Sequence, residues 1–230
     1  MKTLIFLVEG ETEQEFINRI LAPYLIEVKG LNTDIRPIMI EKSGGGHGYS
    51  NIEHLKNTIL PFLHSDSEPV ITTMIDHYGI NSERKMPGYN SIISSNVEER
   101  ISAMEAILHE EIMKLKPYRF FIPYIQQHEL ETLLFANPKE GFALEDERIM
   151  NDVIALRNEH DSIEDINHTP EGAPSKRLTK IYEQHKQRYS KVIEAVDIIE
   201  LGGGIAPILE GCPRFVRWIE RVVEMVLQNK

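Results

Sequence analysis

The stretch LIFLVEGETEQEFINRIL, from Leu4 to Leu21, decides how the chain folds. Its first five residues form an unbroken apolar run, which marks a strand buried on both faces. The run stops at Glu9-Gly10, and two more carboxylates, Glu11 and Glu13, follow at once. Thr12, with Glu15 three residues on, has the capping-box pattern of a helix start. Phe16, Ile17, Ile20 and Leu21 then recur at helical spacing, and Pro23 interrupts or bends the run. The lip of the first strand thus carries a row of negative charge, and that charge asks for a reason.

Downstream, strands and helices alternate. DIRPIMI, from Asp34, reads as a second strand that Pro37 pushes toward a sheet edge. SGGGHGYS, from Ser43, is a loop by composition, with a helix behind it marked by Ile52, Leu55, Ile59 and Leu60. PVITTMID, ending at Asp76, is β-branched and strand-like. A long irregular connection leads to a helix predicted over 97–115, with Ile101, Met104, Leu108, Ile112 and Leu115 on one face. RFFIPYI reads as a strand and HELETLLFAN as a short helix stopped at Asn137-Pro138. Beyond that the text is polar and helical, with a loop at NHTPEGAPSK, a glycine turn at ELGGGIAP and an amphipathic last helix. On that helix Phe215, Trp218, Ile219, Val222 and Val226 share a face. The alternation predicts an α/β fold, a mostly parallel sheet flanked by helices, with a C-terminal helical extension. We divide the chain into a core over 1–137 and an extension packed on it over 138–230.

At 230 residues, the chain is long enough for one α/β domain with an appended piece. Its net charge of −11 counts against a surface that grips nucleic acid throughout, since that needs clustered Lys and Arg. It leaves room for an enzyme that meets phosphates through bound cations, or for a partner that supplies basic surface. The charged text straight after Glu9 has no signal-peptide pattern. Cys212 is the one cysteine, which rules out an internal disulfide framework and fits a cytoplasmic protein.

Ligands of open parallel sheets bind beyond the carboxyl ends of the strands. Three predicted strands end in acid-rich text there: at Glu9, at Asp76 with His77, and before His128, Glu129 and Glu131. Converging carboxylates repel unless a cation neutralises them, and Mg²⁺ or Mn²⁺ takes oxygen ligands of this kind. Glu11, Glu13, Glu15 and Glu129 have an ordinary alternative as dipole partners at helix starts. Glu9 and Asp76 fit that alternative less well, because each closes a buried strand, where a lone carboxylate is costly. Spacing pushes Glu131 toward the rim and leaves His128 and Glu129 at the mouth, without deciding which glutamate is the ligand. His128 is read as a ligand, a proton-transfer group or a helix cap. Gly10 and Glu13 beside Glu9, His47 in the glycine loop, and Lys176 and Arg177 in APSKRL are candidate substrate contacts. The last two are equally readable as solvated charges.

The ordered set VEGETE, SGGGHG, IDHYG with MPGY, FIPYIQQHELETLLFAN, INHTPEGAPSKRL, GGGIAP and CPRFVRWIERV resembles the bacterial domain-of-unknown-function 4276 family over nearly the whole chain. That family is considered related to the Toprim domains of topoisomerases, primases and overcoming-lysogenization-defect nucleases. The resemblance implies a glutamate after the first strand, for acid–base or metal chemistry, and an Asp-x-Asp pair that holds Mg²⁺. Glu9 matches the glutamate and Asp76 the first aspartate, but Tyr78 stands where the second would be. Either Glu129 or Glu131 replaces it, or the centre is weaker. The resemblance also implies an ATPase partner and a role in defence against phage.

Three functions follow as expectations. The first is a Mg²⁺- or Mn²⁺-dependent nuclease, with Glu9, Asp76 and Glu129 or Glu131 on the metal, Glu9 or His128 moving protons, and DNA or RNA as substrate. The second is a non-catalytic metal- or nucleotide-binding partner of an ATPase. The third is hydrolysis of a small phosphate ester by the same carboxylates.

Overall fold

Leu4–Val8 are each at most 2% exposed, so the first strand is covered on both faces, as its unbroken apolar run requires. The computed structural model describes residues 2–166 and 172–229. The loop reading at Asn167–Glu171 lies outside the described residues. Strand β1 (Lys2–Val8) lies between β2 (Thr33–Met39) and β3 (Val70–Asp76), and β3 also carries β4 (Phe121–Ile122) and β5 (Ile125–Gln126). Every pairing is parallel. Pro37, which has no N–H for a second neighbour, sits on β2 at the sheet edge opposite Phe6.

The expected single strand RFFIPYI is two short pieces. Their register with β3 is continuous, with Ile71 opposite Phe121 and Ile75 opposite Ile125. The ladder is interrupted between them, at Pro123 and Tyr124. Thr73 fills the gap with its side chain: Oγ1 donates to the Tyr124 carbonyl at 2.7 Å and accepts the Tyr124 N–H at 2.8 Å.

Helix α1 (Glu11–Phe16) continues through two wide turns, Ile17–Leu21 and Tyr24–Val28, on either side of Pro23. It starts earlier than the capping-box pattern suggests. Gly10 precedes it with no side-chain cap, and Thr12 lies inside the first turn. Helix α2 (Ile52–Leu63) is capped by Asn51, and α3 (Val97–Leu115) by Asn96. Leu60 and Leu115, expected on the buried faces, are exposed. Helices α4 (Pro138–Gly141), α5 (Glu147–Asn158), α6 (Pro174–Gln184), α7 (Lys191–Leu201), α8 (Ile205–Gly211) and α9 (Pro213–Gln228) make up the C-terminal part. The predicted stripe of α9 is buried from Phe215 to Val226. Trp218 meets Phe6 edge-on, and its indole N–H donates to Thr72 at 2.8 Å. Among the described residues no helix is long and apolar enough to cross a membrane.

The segment after β5 departs most from expectation. His128 has φ 67°, in the left-handed region, Glu129 is extended, and a 3-10 helix runs over Leu130–Ala136. All of Leu130–Phe135 is buried, because α4 to α8 enclose it. Glu131 is therefore 0% exposed rather than at the rim: the amphipathic reading supposed an open side that the C-terminal helices fill.

Candidate functional site

The carboxyl ends of β1 and β3 are neighbours, and the Glu9 side chain reaches the main chain of Asp76. Glu9 Oε1 accepts the main-chain N–H of Asp76 at 2.9 Å. Both residues are half-buried. The chain then turns through the short 3-10 segment His77–Gly79. Gly79 lies against Glu9: a Cβ there would stand 3.3 Å from Glu9 Oε1. On the other flank the loop after β2 folds back through a bridge between Glu41 and His47. A Cβ on Gly48, whose φ is +111°, would meet Lys42 Nζ at 3.3 Å and the Glu9 carbonyl at 3.5 Å. His47 itself is exposed, and Lys42 Nζ and the Glu9 main-chain carbonyl both lie beside Gly48. Tyr49, next in the loop, is pushed up in pKa by burial and then by the charge of Glu9.

Gly10 and Glu13 sit beside this pair. Glu13 is buried and turns back over Gly10, with Oε2 3.4 Å from where a Gly10 Cβ would lie. A carboxylate so placed in the first turn of α1 complements the helix dipole.

The third acidic segment is used differently. His128 is clamped through both ring nitrogens: Nε2 lies 3.0 Å from the Glu164 carbonyl and Nδ1 3.1 Å from the Tyr78 hydroxyl. A carbonyl only accepts, so Nε2 carries the proton, and in the neutral ring Nδ1 accepts from Tyr78. Burial, then the charge of Glu129, raises the Tyr78 pKa, so its phenol remains a neutral donor. Glu129 is turned to the start of α6, where Oε1 accepts the Ser175 N–H. Glu131 is in the interior, where its charge helps push the Tyr189 hydroxyl up in pKa after burial. Arg177 donates to the Gly172 carbonyl at 2.8 Å and partly offsets the rise at Tyr78. Lys176 is exposed.

A cavity of about 620 Å³ opens beyond the end of β3, lined by His77, Tyr78, His128, Glu129, Arg100 and Lys176 among others. Burial, followed by the neighbouring His128 and the charges of Arg100 and Arg214, lowers the His77 pKa to about 4. Sequence reasoning named His77 only as the neighbour of Asp76 at the strand end, with no role, and singled out neither Arg100 nor Lys42. IDHYG held His77 in plain view, but Arg100 is one charge on an amphipathic helix and carries no motif.

Among the described residues no group of three or more His, Cys, Asp or Glu side chains stands ready to hold a metal ion. Glu9 and Asp76 remain an all-oxygen pair on adjacent strand ends. That donor set fits Mg²⁺, which is commonly held by one or two carboxylates with water and substrate oxygens completing the shell.

No curated protein and no solved structure matches the chain. The family model described as "Domain of unknown function (DUF4276)" matches residues 8–223, from the last residue of β1 into α9. That span takes in Glu9, Asp76, His128 and Glu129, and the chain belongs to the DUF4276 family.

Proposed function

We propose that the chain is a Mg²⁺- or Mn²⁺-dependent nuclease of Toprim type, centred on Glu9 and Asp76. One observation carries this reading: the Glu9 carboxylate accepts the Asp76 N–H at 2.9 Å. Two acids 67 positions apart thus share one point at the carboxyl edge of the sheet. The Toprim likeness of VEGETE and IDHYG supports it. Glu9 and Asp76 would hold the cation, which polarises a phosphate and makes bound water a better nucleophile. Glu9 is also the candidate base for that water. His128 is held with Nε2 on the Glu164 carbonyl and Nδ1 accepting from Tyr78, so it would give a proton to a leaving oxygen only as the imidazolium, with Nδ1 protonated and Tyr78 turned away. The buried lone Cys212 supports a cytoplasmic setting. An ATPase partner and phage defence belong to the proposal on the family resemblance alone.

The test is cleavage of plasmid DNA and transfer RNA with Mn²⁺ by the wild type and by Asp76→Asn. The Asp76 main-chain N–H that holds Glu9 survives this substitution, so folding should be unchanged while cleavage is lost. Full activity in Asp76→Asn would overturn the reading. A second reading, a non-catalytic metal- or nucleotide-binding partner of an ATPase, is favoured by Glu129 being turned to α6 and Glu131 lying in the interior. Co-purification with an ATPase, and no cleavage by the pair with any divalent cation, would select it.

A further inference from the structure

The cavity beyond β3 has features that a metal centre at Glu9 and Asp76 does not explain. At about 620 Å³ it is in the size range of small-molecule sites. Two flat walls face into it. The Tyr78 ring lies along the His128 ring, with centroids 5.5 Å apart and planes 24° from parallel. Tyr89 carries the Arg100 guanidinium over its ring at 5.6 Å. Aromatic and guanidinium faces of this kind stack planar heterocycles.

The polar groups of the lining point the same way. His77 Nδ1 is buried and has no hydrogen-bond partner among the described residues, a state that buried polar atoms in native proteins seldom keep. Arg100 is held by neutral oxygens alone, the Ile92 and Ser94 carbonyls and the Tyr89 hydroxyl. Among the described residues no carboxylate cancels its charge. Lys176 adds a second cation on the α6 side of the same cavity. The lining thus sets Arg100 and Lys176 against one carboxylate, Glu129, whose Oε1 is taken by the Ser175 N–H, beside the stacking faces and the buried His77 Nδ1.

We propose that this cavity binds one nucleotide unit, with its base between the Tyr78–His128 and Tyr89 walls, edge-on to His77, and its phosphate toward Arg100 and Lys176. The inference deepens the nuclease reading by naming a single nucleotide, free or at a strand end, as what the site accommodates. Binding in the cavity does not need the metal.

The full chain is titrated calorimetrically in EDTA with nucleoside monophosphates, with ribose 5-phosphate, and with a single-stranded oligonucleotide bearing a terminal phosphate. The nucleotides should bind at least about tenfold more tightly than ribose 5-phosphate, the margin one good stacking contact supplies. Tyr89→Leu should remove that margin. Lys176→Ala, at an exposed position, should weaken nucleotides while leaving nucleosides unchanged. A free monophosphate that binds as well as the oligonucleotide identifies the free nucleotide as the ligand, and a preference for the oligonucleotide identifies the strand end. No binding, equal binding of ribose 5-phosphate, or indifference to both substitutions would overturn the inference. Loss of Mn²⁺-dependent cleavage in Asp76→Asn is read separately, so either proposal can fail while the other stands.

Discussion

Glu129 Oε1 accepts the main-chain N–H of Ser175, which ties the segment after β5 to the first turn of α6. Pro174 at the start of α6 has no N–H, so Ser175 presents an early orphan donor of that helix, and Glu129 satisfies it with a charged acceptor placed well for the dipole. Glu129→Ala should therefore cost about 1–2 kcal/mol of unfolding free energy, and Glu129→Gln, which keeps an acceptor oxygen, about half of that. Urea unfolding of the three proteins measures this. Mn²⁺ affinity should be the same in all of them; a loss matching that of Asp76→Asn would return Glu129 to the metal.

Gly79 gives a way to move Glu9 without touching an acid. A methyl group there would press on Glu9 Oε1 from 3.3 Å, so the carboxylate must shift by a few tenths of an ångström. Its bond to the Asp76 N–H then lengthens or breaks. Gly79→Ala should lower Mn²⁺-dependent cleavage by about tenfold or more, as small misplacements of reacting groups do. The melting transition should change by less than about 1 kcal/mol, since the contact is with one half-buried side chain. Unchanged cleavage would show that the position of Glu9 does not matter to the chemistry.

The buried His77 ring makes stability depend on pH. Its pKa is lowered from 6.5 to about 4 by burial and by nearby positive charge. Between those values the unfolded chain holds the proton and the folded chain does not, so stability falls as pH falls through that window. This one group accounts for up to about 3 kcal/mol of the loss. Urea unfolding at pH 7 and pH 4.5 should show a smaller drop for His77→Gln than for wild type. Equal drops would mean that the ring is protonated in the fold, and the acid side of the curve would then belong to carboxylates.

Much of the fold was legible because local pattern and global burial agree. The run Leu4–Val8, the β-branched text ending at Asp76 and the stripe of α9 are each apolar wherever the fold buries them. The proline in β2 marked the sheet edge. The meeting of Glu9 with Asp76 was legible too, since parallel neighbours end on one edge. Glu131 was misplaced because its burial is decided by α4 to α8, far along the chain, and a local pattern carries no record of what later helices will cover. Glu129 was left open for a related reason: its partner is a main-chain N–H, which any residue at position 175 would present. Arg100 and Lys42 were missed because a single cation on a helix or loop looks alike in solvent and in a site.

Thr73 shows how a break in the sheet is carried by one hydroxyl. The paired strand breaks at Pro123, opposite Thr73, the fourth residue of β3, and Thr73 Oγ1 bonds both the N–H and the C=O of Tyr124 there. The oxygen is fully buried, so water cannot substitute for it. Thr73→Val keeps the shape and takes away the acceptor of the buried Tyr124 N–H, which should cost about 1–3 kcal/mol. Thr73→Ser keeps the bonds and loses a methyl group, which should cost about 1 kcal/mol. The order matters for function because Tyr124 leads directly into β5, and β5 sets where His128 lies. Thr73→Val should accordingly weaken nucleotide binding in EDTA as well as stability, whereas Thr73→Ser should leave binding near wild type. If both variants were equally stable, the hydroxyl would not be what closes the gap at Pro123.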